Sequence, residues 1–170
     1  MQAFSTGLLS AFGHNPRIAI RDFQGEAQFS RTNGGIDGAR VDLSVASTSL
    51  EVIDDISEKD KAEINRTMHE QVLETGGFPE ITYACSQVSA SGNGDRLWVA
   101  LNGELTLHGV TRALPISARV VINGMLLRAS GEFAIKQTDF EITPVQVAAG
   151  AIKLKNELKC TFDLVARKQE

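Results

Sequence analysis

Between Arg96 and Ile122 apolar and polar residues take turns along the chain. Leu97, Val99, Leu101, Leu105 and Leu107 hold every second position, interrupted only by Gly103. Arg96, Trp98, Asn102, Glu104, Thr106 and His108 lie between them. A period of two sends successive side chains to opposite faces, so the stretch predicts a strand with one dry and one wet face. After His108-Gly109 the alternation resumes with Ile116, Ala118, Val120 and Ile122. Two such runs joined by a short glycine-containing connection predict an antiparallel hairpin.

The flanking sequence continues in the same manner. Gln2 to Leu9 reads as a first short strand, punctuated by Gly13-His14-Asn15-Pro16. From Arg17 to Phe29 a strand changes phase: Ile18 and Ile20 are even, whereas Phe23, Ala27 and Phe29 are odd. Such a slip needs a bulge or bend, placed near Arg21-Asp22. Ala39, Val41, Leu43 and Val45 mark another strand, ending near Ser49. Within Asp54–Thr75 the period changes to that of a helix over about 57–75, with Ile64, Met68 and Val72 on its apolar stripe. Ser57 and Asp60 form its capping box, and Gly76-Gly77 ends it. A strand follows from Glu80 to Ser89, and Asn123-Gly124 predicts a two-residue hairpin turn. Leu127, Ala129, Gly131, Phe133 and Ile135 then alternate, and Asp139 to Gly150 reads as a loop with a short helical turn. Ile152, Leu154, Leu158, Cys160, Phe162 and Leu164 make one continuous last strand. With no βαβ spacing, the chain is expected to be mainly β: one domain, 1–170, an antiparallel eight-stranded barrel with one helix covering one end.

Three stretches carry a family resemblance. LTLHGVTRALPISARV, GHNPRIAIRDFQGEAQF and RTMHEQVLETGGFPEITYACSQV resemble, in order, a hairpin, an opening strand and a helix-to-strand segment of the YceI-like family of lipocalin-like barrels. The resemblance implies a lipocalin-like fold that holds a polyisoprenoid or other long-chain amphiphile. It also singles out His14, since the family has a histidine near this point. Many members are exported to the periplasm. Here MQAFSTGLLSAFGHNP has no basic n-region, sustained apolar core or small-residue cleavage site. The expected location is therefore cytoplasmic, or periplasmic if a leader has been removed.

Charge and chemistry narrow the choice of function. The net charge is −4 and no run of Lys or Arg occurs, which argues against nucleic acid and gives no polybasic stretch for an anionic membrane. No apolar run approaches the roughly 20 residues of a transmembrane helix. Cys85 and Cys160 fall on the apolar phase of their strands and read as two small buried thiols rather than a disulfide or metal pair. His14, His69 and His108 have no metal-ligand spacing, and no nucleophile elbow or zinc-protease motif is present. No metal and no cofactor is expected. Gln87 and Asn156 stand on the dry phase, where a polar group costs about 1–3 kcal/mol unless it is hydrogen-bonded. They read either as anchors inside an oily cavity or as paired residues at strand ends. Arg17, Arg21 and Arg112 are candidates for an anionic head group, with solvated surface as the plain reading.

Alternation fixes the inner face but leaves open whether an eight-stranded barrel is solid or hollow. If it is hollow, the expected lining is Leu97, Val99, Leu101, Leu105, Ala118, Val120, Phe133, Leu154 and Phe162, with His14, Gln87 and Asn156 as candidate polar anchors. The resulting reading is a non-enzymatic protein that binds, transports or sequesters an isoprenoid-like lipid, alone or as a homodimer. The alternatives are a lipid-modifying or metal-assisted enzyme using His14, and a packed stress-response or interaction module without ligand. The strand phase itself has a direct test. Leu101→Arg should lower the melting temperature sharply, because it places an unpaired charge on the dry face, whereas Asn102→Arg should stay within about 0.5 kcal/mol of the parent.

Overall fold

The computed structural model describes residues 1, 5–6, 15–32, 35–147 and 152–169. The predicted hairpin is its longest element pair. In chain order the strands are β1 (Ser5–Thr6), β2 (Ile18–Ile20), β3 (Phe23–Thr32), β4 (Gly35–Ala46), β5 (Leu50–Val52), β6 (Glu80–Cys85) and β7 (Val88–Asn93). They continue with β8 (Arg96–Leu107), β9 (Val110–Asn123), β10 (Leu126–Lys136), β11 (Gln146–Val147), β12 (Ile152–Leu154) and β13 (Glu157–Arg167). An unbroken antiparallel ladder joins β8 to β9 from Arg96↔Val121 to Leu107↔Val110. Around it an eight-stranded sheet is ordered β13-β10-β9-β8-β6-β4-β3, with β7 on the same edge of β8 as β6. This sheet curls into a half-barrel. Among the described residues no ladder joins its end strands β3 and β13, and a seam is left between them.

One end of the half-barrel is covered. The helix α1 (Glu58–Thr67) starts at Glu58 rather than Asp54, because Ser57 is its N-cap: the Ser57 hydroxyl oxygen accepts from the Asp60 N–H at 3.1 Å. The Val52 N–H donates to Asn65 Oδ1 at 2.9 Å and ties the helix to β5. Its last part widens into a π turn, Met68–Val72. Beyond it, Glu74 (φ 45°) and His108 (φ 52°) both take left-handed backbone and meet at 2.8 Å through Oε2 and Nε2. The His108 ring rests on Phe78 at 4.3 Å, fastening the helix end to the β8–β9 turn.

The expected phase slip at Arg21-Asp22 is a change of partner: β2 pairs with β5, whereas β3 pairs with β4. The last strand, expected to be continuous, is broken at Lys155-Asn156. Before the break, β12 joins β1 and β11 in a small separate sheet; after it, β13 joins β10. The final hairpin turn also shifts by one residue. Asn123 pairs with Leu126, so Gly124 (φ 58°) and Met125 form the tip. His14 lies outside the described residues.

Gly103, the one gap in the central alternation, has a physical reason. A Cβ there would sit 2.6 Å from the Ala84 carbonyl oxygen and 2.6 Å from the Tyr83 hydroxyl, so the Tyr83 ring fills the missing side chain's place. Gly103→Ala should cost about 1–3 kcal/mol by overpacking, read from the urea midpoint, while Asn102→Ala should leave that midpoint unchanged.

Candidate functional site

The inner face of the sheet does not meet itself. It encloses a cavity of about 870 Å3 whose walls are almost wholly apolar. The inward side chains show the emptiness directly. Phe23 is 48% exposed although it is in phase with Ala27 and Phe29 on the inner face, and Leu43, Leu101, Phe133 and Phe162 are only half-buried. In a filled barrel such residues would sit among the most buried of the chain. Beneath α1, by contrast, Val52, Leu50 and Phe140 are 2–3% exposed. The helical segment is itself part of the cavity wall, so packing is tight only around these residues.

All nine residues that the alternation placed inside border this cavity: Leu97, Val99, Leu101, Leu105, Ala118, Val120, Phe133, Leu154 and Phe162. Alternation missed the opposite wall. Phe23, Phe29, Ile36, Leu43 and Ile81 come from β3, β4 and β6, and Ile64, Met68, Val72 and Leu73 from the helical segment. The same period-two and helical-stripe signals mark most of them. Only the fold reveals that they face a void.

The polar candidates fare differently. Gln87 does not border the cavity: its side chain is exposed, because the break between β6 and β7 shifts the phase so that Val88 and not Gln87 follows Cys85 inward. Its carbonyl accepts from the Cys85 thiol at 3.4 Å and from the Asn102 N–H at 2.9 Å. Asn156 is spent locally as well. Its Oδ1 accepts from the Thr138 N–H at 3.0 Å and its Nδ2 donates to the Thr138 hydroxyl at 2.8 Å, closing the bend that interrupts the last strand. Polar residues such as Arg40, Asp42, Asp60 and Glu63 stand on its border, and the buried polar side chains among its lining are Tyr83 and Gln137. The Tyr83 hydroxyl donates to the Leu114 carbonyl at 3.1 Å, and Gln137, 3% exposed, donates through Nε2 to the Lys155 carbonyl at 2.9 Å.

Arg17 and Arg21 are engaged by Asp54 and Glu51, each at 2.8 Å, and Arg112 reaches the Thr111 carbonyl. His69 and His108 do not border the cavity. Among the described residues no group of three His, Cys, Asp or Glu side chains is placed to hold a metal ion. Cys85 and Cys160 are free and buried. Burial pushes the Cys160 thiol up to about 11, so it is protonated and a weak nucleophile at neutral pH.

Several comparisons place the chain. The model of the YceI-like domain matches residues 4–166. The chain belongs to the YceI-like family. A UPF0312 protein of Shewanella sp. (strain W3-18-1) is 33% identical over 105 residues, 62% of this chain and 49% of its own length. One of Enterobacter sp. (strain 638) is 27% identical over 89% of this chain and 66% of its own. The chain thus spans about half to two thirds of these curated relatives. Among solved structures, Burkholderia cenocepacia BcnA superposes with a TM-score of 0.71 at 17% identity, over 97% of this chain and 95% of its own. A polyisoprenoid binding domain from Saccharophagus degradans, implicated in plant cell wall breakdown, superposes with a TM-score of 0.67 at 14% identity, over 99% and 92%. At such identities these two show a shared fold.

The buried acids at the cavity wall make stability depend on alkaline pH. Burial, with a smaller push from the Cys85 thiol, raises the Tyr83 phenol from 10.0 to about 12, as burial raises Cys160 from 9.0 to about 11. As pH climbs, the unfolded chain loses these protons first and unfolding is favoured. Their contribution is intact below the unfolded values and lost as pH rises through the folded ones. The urea midpoint should therefore fall between pH 9 and 12, and fall less steeply in Cys160→Ala and Tyr83→Phe.

Proposed function

We propose that the chain binds a long, flexible aliphatic amphiphile of isoprenoid type inside the half-barrel, as a non-enzymatic carrier or sequestering protein. The cavity carries this reading. Its 870 Å3 lies within the roughly 300–1,000 Å3 of small-molecule sites, and its walls are mainly aliphatic with a few aromatic rings, Phe133 and Phe162 among them paired at 6.3 Å. Such a lining suits a bending hydrocarbon chain better than a flat ring system. Tyr83 and Gln137, the polar side chains buried at the wall, each donate to a backbone carbonyl. Little directional demand is then made on a ligand, and a series of chain lengths fits the same walls. The fold shared with a polyisoprenoid binding domain supports the same ligand class.

Mass spectrometry of an organic extract of the purified protein should find a long-chain lipid at about one per chain, within the size range of small-molecule sites. Val99→Trp and Ala118→Phe, which keep the wall apolar while filling the void, should block uptake of an added isoprenoid alcohol. Their melting temperatures should stay near the parent, because both residues border the void and the new ring can extend into it. In a filled core the same changes would cost about 1–3 kcal/mol. An extract without lipid, no uptake by the parent and a sharp loss of stability in both variants would sink the carrier reading.

A further inference from the structure

We infer that the outer face of β8, β9, β10 and β13, at the end away from α1, is a docking surface for an anionic lipid bilayer. The sequence contains no basic run, yet the ladders gather cations from separate strands. Trp98 is opposite Arg119, Arg96 is opposite Val121, and Leu126 is opposite Arg167. The Lys168 N–H donates to the Met125 carbonyl at 2.7 Å, which sets Lys168 beside the β9–β10 tip. Arg96, Arg119, Arg167 and Lys168 are exposed and form no ion pair among the described residues. The neighbouring carboxylates Asp95 and Asp163 are already held by Arg31 and Arg128. In a chain of net charge −4, this face is left positive.

The same face carries apolar side chains where water would ordinarily be met by polar ones. Trp98 is 58% exposed, Met125 47%, Leu126 42% and Val165 65%, four of the seven large exposed hydrophobics of the described residues. Arg119 stacks over the Trp98 ring at 5.0 Å, keeping a cation and an amphipathic ring together. Met125 owes its exposure to the turn, where the left-handed Gly124 leaves it at the tip. Apolar tips among unmatched cations are the composition that enters the headgroup layer of an anionic membrane. At the opposite end the cations of α1, Lys59, Lys61 and Arg66, are matched in number by Glu58, Asp60 and Glu63, and Lys61 and Arg66 are paired with Glu58 and Glu70. The unmatched cations therefore lie on the docking face and orient the molecule. Val165 and Ala166 also border the cavity along the seam, so docking brings the void close to the bilayer.

Trp98 is the chain's single tryptophan and reports directly. With vesicles of phosphatidylcholine and phosphatidylglycerol in equal parts, its emission should shift to the blue and the protein should co-sediment. Vesicles of phosphatidylcholine alone should give neither. Binding should weaken as salt rises from roughly 0.1 M to 1 M, where charges act over about 3 Å instead of about 10 Å. Arg167→Gln/Lys168→Gln should weaken it about 25-fold, some fivefold for each cation, with an unchanged melting temperature. Met125→Ser/Leu126→Ser should reduce the blue shift. Ala118→Phe, which fills the cavity, should dock like the parent. Equal response to both vesicle types, no response to either, or undiminished binding by the double glutamine variant would overturn the inference. So would a Trp98 response to a single-stranded oligonucleotide but not to vesicles. A lipid-free extract together with the expected vesicle responses would remove the carrier reading and leave the docking surface standing.

Discussion

The unbroken ladder between β8 and β9 is the constraint that the rest of the molecule obeys. Its register, from Arg96↔Val121 to Leu107↔Val110, assigns every side chain of both strands to one face. A slip of a single residue would turn Leu97, Val99, Ala118 and Val120 out to water and bring Trp98 and Arg119 inside. Because β10, β6 and β7 pair directly onto this hairpin, and β13 and β4 onto those, the assignment spreads across the sheet. Gly103 shows how tightly the register is held. It is the position where the Tyr83 ring crosses the strand, and any side chain there would collide with it.

A sheet built this way has to do something with its inner face. Close to the helical segment a few residues, Leu50, Val52 and Phe140 among them, are nearly inaccessible. Over the rest of the inner face the walls stand apart, and apolar side chains such as Phe23 and Phe133 look onto a void. Each square ångström left uncovered forgoes about 25 cal/mol of burial. The protein therefore packs part of its inner face tightly and leaves the rest as apolar surface around the void. A ligand that filled the void would stabilise the fold by mass action.

Much of this was legible in the sequence, and the omissions have physical causes. The hairpin, the phase of β10, the helix cap at Ser57 and the break at Arg21-Asp22 follow from local periodicity, which the backbone obeys wherever one face is dry. The nine wall residues could be read for the same reason. Gln87 could not, because the kink between β6 and β7 resets the period just before it. Asn156 was read as sitting on the dry phase of a continuous strand, yet the strand stops there and the side chain closes the bend on Thr138. Emptiness was beyond reach, since strand patterns fix which way a residue points and not how far away the opposite wall stands. The basic face was invisible for a related reason. Arg96, Arg119 and Arg167 are tens of residues apart in sequence and become neighbours only through the ladders.

The cavity and the basic face answer one energetic difficulty. A long hydrocarbon chain loses about 0.8 kcal/mol for every methylene brought from an apolar phase into water. A carrier that waited in solution for such a molecule would depend on a vanishing free concentration. A carrier held against the bilayer meets it where it is abundant, and transfer between two apolar environments avoids most of that cost. The position of the contact then matters as much as its strength. Val165 and Ala166 belong both to the strand bearing the exposed apolar residues and to the border of the void, on the side where β3 and β13 are unjoined. Closing that seam with a further ladder would bury two strand edges, yet it would also shut the void away from the proposed docking face. In the proposed arrangement these edges, unjoined among the described residues, would be the route between the two apolar environments, and the stability forgone there would keep the route open.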